Sequence, residues 1–317
     1  MSTPLVSVVI NCYNGESFLK EAVNSVLRQT YLNWEIIFWD NCSIDGSANI
    51  ILSYNDGRIK YFKSERNTSL GQARNLALEK AKGDFIAFLD VDDIWMDDKL
   101  EKQISILLSD ERIGLVYSRF LHFNGKMFFF SDGGKFNSYV DFHTFIVHYN
   151  VGMSSAIVRK SIVDRYNLMF NQKYSLIEDF DFFVKIAIYS KVFYISEILM
   201  KYRLHSDNLT IISSQWMGEF KQFLNEFKLI ADGKIDMKEY ELCNKWIEIT
   251  AINYELMYLL KQKKRVKAFT FVLSKLRTSS RMVLLFFPVM IGYDNYLHIK
   301  SFLINRNIHY KKILKWR

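Results

Sequence analysis

Strand-like apolar runs alternate with segments of helical period through the first hundred residues, and this alternation constrains the fold more than any other feature. LVSVVINCY (5–13), WEIIFWD (34–40) and GDFIAFLD (83–90) are runs of the kind that bury both faces of a strand. Between them, ESFLKEAVNSVLRQT places Phe18, Leu19, Ala22, Val23, Val26 and Leu27 at helical spacing. SIDGSANIILSYN reads as a second helix capped by Ser43 or Asp45. RIKYF is a short strand, SLGQARNLALEKAKG a helix stopped at Gly83, and MDDKLEKQISILLSD a further helix. Doubly buried strands joined by helices imply an α/β fold with a mostly parallel central sheet flanked by helices.

The pattern is mixed from Gly114 to His205. IGLVYSRFLHF and GKMFFFSD are expected to pair through a turn at Asn124-Gly125. GMSSAIVRK reads as a strand, EDFDFFVKIAIYS as a helix and VFYISEILMKYRLH as a strand. After Ser213 the chain reads as helical to its end, and AINYELMYLLKQKKRVKAFTFVLSKLR has the look of a helical hairpin with a basic turn. The expected division is therefore an α/β domain over 1–212 and a helical region over 213–317. No stretch reaches the ~20 apolar residues of a membrane-spanning helix, since MVLLFFPVMIGY is short and contains Pro288. MSTPLVSVVIN lacks a basic leader, so it is not expected to be a signal peptide. Cys12, Cys42 and Cys243 lack ligand-like spacing, which fits reduced thiols and a cytoplasmic location.

Charge is unevenly distributed. Met257–Arg317 carries fourteen Lys and Arg against one acid, Asp294, a net +13 that leaves −5 for residues 1–256 of the +8 total. KQKKRVK and HYKKILKWR flank the apolar VLLFFPVMIGY, a pattern suited to an anionic membrane surface at the inner face of a cell membrane. A solvated basic helix face, with the apolar run packed as core, accounts for it equally. No recognition motif accompanies the charge, and nucleic acid is not expected as a partner.

Three strands end in polar residues: Asn11, Tyr13 and Asn14 after the first, Asp40 and Asn41 after the second, and Asp90, Asp92 and Asp93 after GDFIAFLD. In open parallel sheets, ligands bind beyond the carboxyl ends of the strands. Hard oxygen donors collected there suit Mg²⁺ or Mn²⁺ bound together with phosphates, and a divalent cation would offset the repulsion among the acids. Asp97 and Asp98 read as turn and helix-start acids. The chain has neither a Walker loop nor a G-x-G-x-x-G after its first strand.

VSVVINCYNGESFLKEAVNSVLRQTYLNWEIIFWDNCSIDGS and GQARNLALEKAKGDFIAFLDVDD resemble the large inverting glycosyltransferase family of the GT-A fold called family 2. The matches are Tyr13-Asn14 after strand one, Ser25–Thr30 in the SVLxQT helix, and the block from Gly71 to Asp93, with shortened spacing before Ala73-Arg74-Asn75. Together they cover about the first hundred residues. Weaker similarity runs from EDFDFF to YRLH, and nothing diagnostic follows Ser213.

The resemblance implies sugar transfer from a nucleotide-diphosphate donor to a glycan or lipid-linked acceptor in surface-polysaccharide synthesis. UDP is the first choice of donor nucleotide, with dTDP or GDP as alternatives. It makes Asp90-Val91-Asp92 the metal motif, with Asp92 the direct ligand, Asp90 on the ribose or sugar side and Asp93 behind them. Asp40-Asn41 stands where the family often has Asp-Asp and contacts the base; an Asx turn is the alternative for Asn41. Asp179 takes the place of the general base and Glu178 of the residue beside it, although acids at a helix start also favour the dipole. Asp181 is expected to be structural. His205 is a candidate metal or phosphate contact, and Arg74 either meets the diphosphate or pairs within its own helix. A sugar nucleotidyltransferase would need a glycine-rich basic loop after strand one, which NCYNGESF is not. A catalytically idle sugar- or lipid-binding protein on the same scaffold is the remaining alternative.

Overall fold

The structure is a computed structural model, and it describes residues 3–124, 128–130, 137–205, 215–264, 266–268 and 270. The chain divides into two compact units, Met1–His205 and Ser206–Arg317. The boundary expected at 212–213 lies outside the described residues, as does most of the basic tail.

In the first unit, chain order runs β1 (Val6–Cys12), α1 (Glu16–Leu27), β2 (Trp34–Asp40), α2 (Ser47–Leu52), β3 (Ile59–Lys63), α3 (Leu70–Leu78) and β4 (Phe85–Phe88). It continues through β5 (Ile94–Trp95), α4 (Lys99–Ser109), β6 (Ile113–Phe123), β7 (Phe128–Phe130), β8 (Ser138–Val140) and α5 (Phe142–Val147). A 3₁₀ turn at Met153–Ser155 precedes β9 (Ile157–Arg159), α6 (Lys160–Arg165), α7 (Glu178–Tyr189) and β10 (Lys191–Arg203). The sheet order is β3-β2-β1-β4-β9-β6-β10-β5. β3, β2, β1 and β4 are mutually parallel, and β10 is parallel to β6. β9 runs antiparallel between β4 and β6. The expected mostly parallel sheet is thus present, with β9 reversed within it and β5, β7 and β8 antiparallel at its margins. β7 pairs with β6 as expected, although the connecting Gly125 lies outside the described residues.

The apolar runs become strands because both their faces are covered: every residue of β2 and β4 is buried. In α1, Leu19, Ala22, Val23 and Val26 form the buried stripe, while Phe18 is only half-buried. Two expected boundaries differ. The α2 cap position is Gly46, with Asp45 Oδ1 accepting from the Ser47 N–H one residue further on. Helix α3 ends at Leu78, not at Gly83. Gly83 instead lies against β1, where a Cβ would sit 2.6 Å from the Leu5 carbonyl oxygen and the Ser7 nitrogen. Its N–H donates to Ser7 Oγ, which in turn donates to the buried Glu35.

GMSSAIVRK is a strand only over its last part. Gly-Met-Ser-Ser bends because its polar groups are used elsewhere: Ser155 Oγ donates to the Gly152 carbonyl, and Ser154 faces the acidic loop after β4.

The second unit holds α8 (Gln215–Ala231) and α9 (Met237–Lys261). Trp216 stacks on Tyr254 at 4.3 Å, and Phe227 on Tyr240 at 5.4 Å, so the helices run antiparallel. Gly233, at φ 66°, makes the reversal possible. The hairpin expected from AINYELMYLLKQKKRVKAFTFVLSKLR shows its first arm in α9 and its turn near Lys263. Its second arm lies almost wholly outside the described residues.

Lys99, the first residue of α4, is fully buried. Its Nζ donates to Gln103 Oε1 at 2.6 Å and sits 4.2 Å from the centroid of the Trp95 ring. Burial pushes its pKa well below the ordinary lysine value. The folded chain therefore loses this proton at a lower pH than the unfolded chain. In that window stability rises with pH by about 1.4 kcal/mol per unit, up to the unfolded pKa of about 10.4. Lys99→Met removes this component, so its stability relative to wild type should be higher at pH 7 than at pH 9.5. Urea denaturation at the two pH values checks this, and an equal difference at both would contradict it.

Candidate active site

β1, β2 and β4 are adjacent and parallel, so their carboxyl ends share one sheet edge, as expected. The first two βα loops are tied together there. Asn14, at φ 55°, donates its N–H to Ser43 Oγ and accepts the Ile44 N–H on Oδ1. Tyr13 beside it is exposed, and the Asn11 Nδ2 is buried with no hydrogen-bond partner among the described residues.

Asp40 is fully buried and accepts from the Ser43 N–H and the Tyr61 hydroxyl. Burial, and then that bond, push the Tyr61 hydroxyl up to about 12. Asn41 uses both ends of its amide on the loop before α3. Nδ2 donates to the Thr68 carbonyl at 2.9 Å and to Asn67 Oδ1 at 3.3 Å, while Oδ1 accepts from the Thr68 hydroxyl and N–H. A carboxylate at this position has no hydrogens to donate.

The three acids after β4 each have a separate partner. Asp90 Oδ1 pairs with Arg74 at 3.2 Å. Asp92 Oδ2 lies 2.8 Å from His205 Nε2. Asp93 is buried, accepting the Ser154 hydroxyl at 2.6 Å and the Arg203 N–H at 3.0 Å. Burial raises its pKa well above the usual carboxylate value, and the charges of Asp92 and Asp90 add to this. Ser154 Oγ also accepts the Asp90 N–H, and Trp95 Nε1 donates to the Ser154 carbonyl. Arg203 donates from Nε to the Asp92 carbonyl and from Nη2 to Glu21, with its guanidinium between the rings of Phe18 and Phe123 at 4.7 and 4.6 Å. Asp97 pairs with Arg28 and Asp98 with Lys102, so both act on the surface.

Arg74 does not pair within its own helix. Its buried guanidinium crosses from α3 to Glu178 Oε1 at 2.7 Å, as well as to Asp90, and so bridges the acids after β4 to those opening α7. Asn75 fixes the geometry: Nδ2 donates to the Phe170 carbonyl and Oδ1 accepts the Phe170 N–H. Asp179 Oδ1 accepts the Phe180 N–H. Desolvation and then the Glu178 charge push the Asp179 carboxyl up to about 7, against the pull of Arg74. Asp181 is buried and pairs with Lys185.

Asp92 and His205 offer an oxygen and a nitrogen side by side at the sheet edge, a donor set suited to Mn²⁺ or Mg²⁺. Among the described residues, no three His, Cys, Asp or Glu side chains are gathered to hold a metal ion. Two protein donors would supply part of a shell that phosphate oxygens and water complete. Ser154 lies outside the family motifs, while Asn75 and Arg203 lie within the Ala73-Arg74-Asn75 and YRLH matches, where the resemblance implies no role for them. β9 and the bend before it bring Ser154 in from 64 positions beyond Asp90.

The model of the family described as glycosyl transferase family 2 matches residues 7–166, half of the chain. The chain belongs to this family. The match covers Arg74 and the Asp90–Asp93 loop, whereas Glu178, Asp179 and His205 lie beyond it. Among curated relatives, the UDP-Glc:α-D-GlcNAc-diphosphoundecaprenol β-1,3-glucosyltransferase WfgD of Escherichia coli is 30% identical over 73% of this chain and 87% of that protein. The putative teichuronic acid biosynthesis glycosyltransferase TuaG of Bacillus subtilis is 45% identical over 33% of this chain and 42% of that protein. The first unit has the GT-A fold. S. aureus TarS 1–349, solved with UDP, aligns at a TM-score of 0.61 with 19% identity, covering 81% of this chain and 71% of that one. The mannosyltransferase PcManGT of Pyrobaculum calidifontis, solved with GDP-Man and Mn²⁺, aligns at 0.56 with 17% identity, covering 81% and 75%. This family 2 protein is a nucleotide-sugar-dependent glycosyltransferase.

Because Asn41 both donates and accepts, Asn41→Asp should set a carboxylate against the Thr68 carbonyl. The expected cost is about 1–3 kcal/mol of stability, with faster amide hydrogen exchange at Thr68. Urea denaturation and hydrogen exchange measure the two effects. Unchanged exchange at Thr68 would contradict the loop-pinning role.

Proposed function

We propose that this family 2 enzyme inverts the anomeric centre as it moves a sugar from a nucleoside-diphosphate donor to a hydroxyl of a lipid-linked glycan, in building a surface polysaccharide. The observation that carries the reading is Asp179, a carboxyl with a pKa near neutrality beside the Arg74 bridge between Glu178 and Asp90. UDP is the preferred donor nucleotide. WfgD, named for UDP-Glc and a diphosphoundecaprenol acceptor, supports that choice, as does TarS with UDP.

The acceptor hydroxyl oxygen attacks the anomeric carbon and forms the new glycosidic bond. The bond from that carbon to the phosphate oxygen breaks, and its electron pair leaves with the nucleoside diphosphate. Asp179 takes the hydroxyl proton, as a general base must when attack and departure occur on opposite faces. Arg74 holds Glu178 in place, and the Glu178 charge keeps Asp179 basic enough for its task. Asp92 and His205 would hold Mn²⁺ or Mg²⁺, which when bound stabilises negative charge on the departing diphosphate. Ser154 and Arg203 keep the Asp92 loop in place.

Asp179→Asn should lower turnover about 10²–10⁴-fold with nucleotide affinity retained, because a base acts only in the transition state. Asp92→Asn should instead lose metal-dependent nucleotide binding. Wild-type turnover should rise as pH increases through about 7, where Asp179 ionises. UDP release from UDP-sugars and isothermal titration with UDP and Mn²⁺ separate these effects. Full activity in Asp179→Asn would sink the assignment.

The enzyme acts at the inner face of the membrane, held by the basic segment from Met257 onward. The apolar run VLLFFPVMIGY in that segment is shorter than the ~20 apolar residues of a spanning helix, so attachment through it would be interfacial. Full-length protein should float with anionic vesicles at low salt and be released at high salt. Failure to float at low salt would remove the membrane from the reading.

A further inference from the structure

Two buried polar atoms beside Asp179 have no hydrogen-bond partner among the described residues: the Tyr149 hydroxyl and Glu178 Oε2. Tyr149 follows α5, and its ring stands edge-on to Phe145 at 5.6 Å and to Phe180 at 4.8 Å. Phe180 is the residue after Asp179 and is hydrogen-bonded to it. Packing from two helices therefore fixes the ring, while the hydroxyl is left unused. Glu178 is held on one oxygen only, by Arg74 at 2.7 Å, and its side chain is 6% exposed. Leaving buried polar atoms unpaired is costly, and in native proteins such atoms are met by a ligand, an ordered water or an ion.

We propose that Tyr149 and Glu178 form a seat for one sugar hydroxyl, which accepts from the Tyr149 O–H and donates to Glu178 Oε2. A sugar hydroxyl has one donor hydrogen and two lone pairs, so it matches a donor on one side and an acceptor on the other. Burial and the charges of Asp179 and Glu178 raise the Tyr149 pKa well above its ordinary value, which keeps the hydroxyl protonated as a donor. The seat rests on the glycosyl-transfer reading above and adds a substrate contact to it. The hydroxyl belongs either to the acceptor sugar or to the donor sugar, and the two sources behave differently in the test.

Tyr149→Phe keeps the ring and removes only the oxygen. UDP-glucose with Mn²⁺ serves as donor, and an N-acetylglucosaminyl diphospho-lipid as acceptor. Loss of one such hydrogen bond should lower kcat/KM for transfer roughly tenfold. If the seat holds the acceptor sugar, UDP release without acceptor stays at the wild-type rate; if it holds the donor sugar, that rate falls as well. The variant's melting temperature should equal or exceed the wild-type value, because an unused buried hydroxyl has been removed. A lower melting temperature would show that the hydroxyl has a structural partner and would overturn the seat, whether or not wild type turns over this substrate pair. Active wild type with an equally active Tyr149→Phe would overturn the seat and leave the transfer reading standing. Wild type inactive with every donor and acceptor tried would count against the transfer reading instead.

Discussion

Five acidic side chains, Asp90, Asp92, Asp93, Glu178 and Asp179, gather around one end of the sheet, and the first unit is organised by how their charges are compensated. Arg74 is central because it meets one acid from each group, Asp90 and Glu178. A buried guanidinium is tolerable only when paired and hydrogen-bonded, and removing either partner leaves an uncompensated charge. The pairing also sets direction. With Glu178 held against Arg74, the neighbouring Asp179 carries desolvation and the Glu178 repulsion and gains a raised proton affinity.

The Ala73-Arg74-Asn75 triplet shows how one helical turn serves this arrangement. Ala73 is small and fully buried, so α3 can lie close to the sheet. Arg74 reaches the acids. Asn75 clamps Phe170 through two reciprocal amide bonds, and Phe170 stacks on Phe182 of α7 at 4.1 Å. The helix bearing Glu178 and Asp179 is thus registered to the helix bearing Arg74 by packing as well as by charge. Ser154 and Arg203 do the same for the loop after β4, one through hydrogen bonds from the 3₁₀ turn and the other from the end of β10.

Much of the fold was legible because burial on both faces and helical period leave local marks. The strands at 5–13, 34–40 and 83–90 and the helices between them all appear, and the acids fall at a shared edge because parallel neighbours end together. Expectations drawn from single residues fared less well. Gly83 looked like a helix stop, yet its lack of a side chain serves contact with β1. GMSSAIVRK looked like one strand, yet Ser154 and Ser155 are used in a bend.

The sequence by itself determined the strand and helix order, the family, and which acids stand at strand and helix ends, since these depend on periodicity and on short contiguous motifs. Only the tertiary structure decided what each acid faces. Asp90 meets an arginine 16 positions before it, Asp92 a histidine 113 positions after it, and Glu178 the same arginine 104 positions before it. It also decided that Asn41 holds a loop and that Lys99 is buried against Gln103 and the Trp95 ring. Partners brought together by sheet topology leave no local pattern, because a hydrogen bond or an ion pair depends on distance in space and is indifferent to separation along the chain.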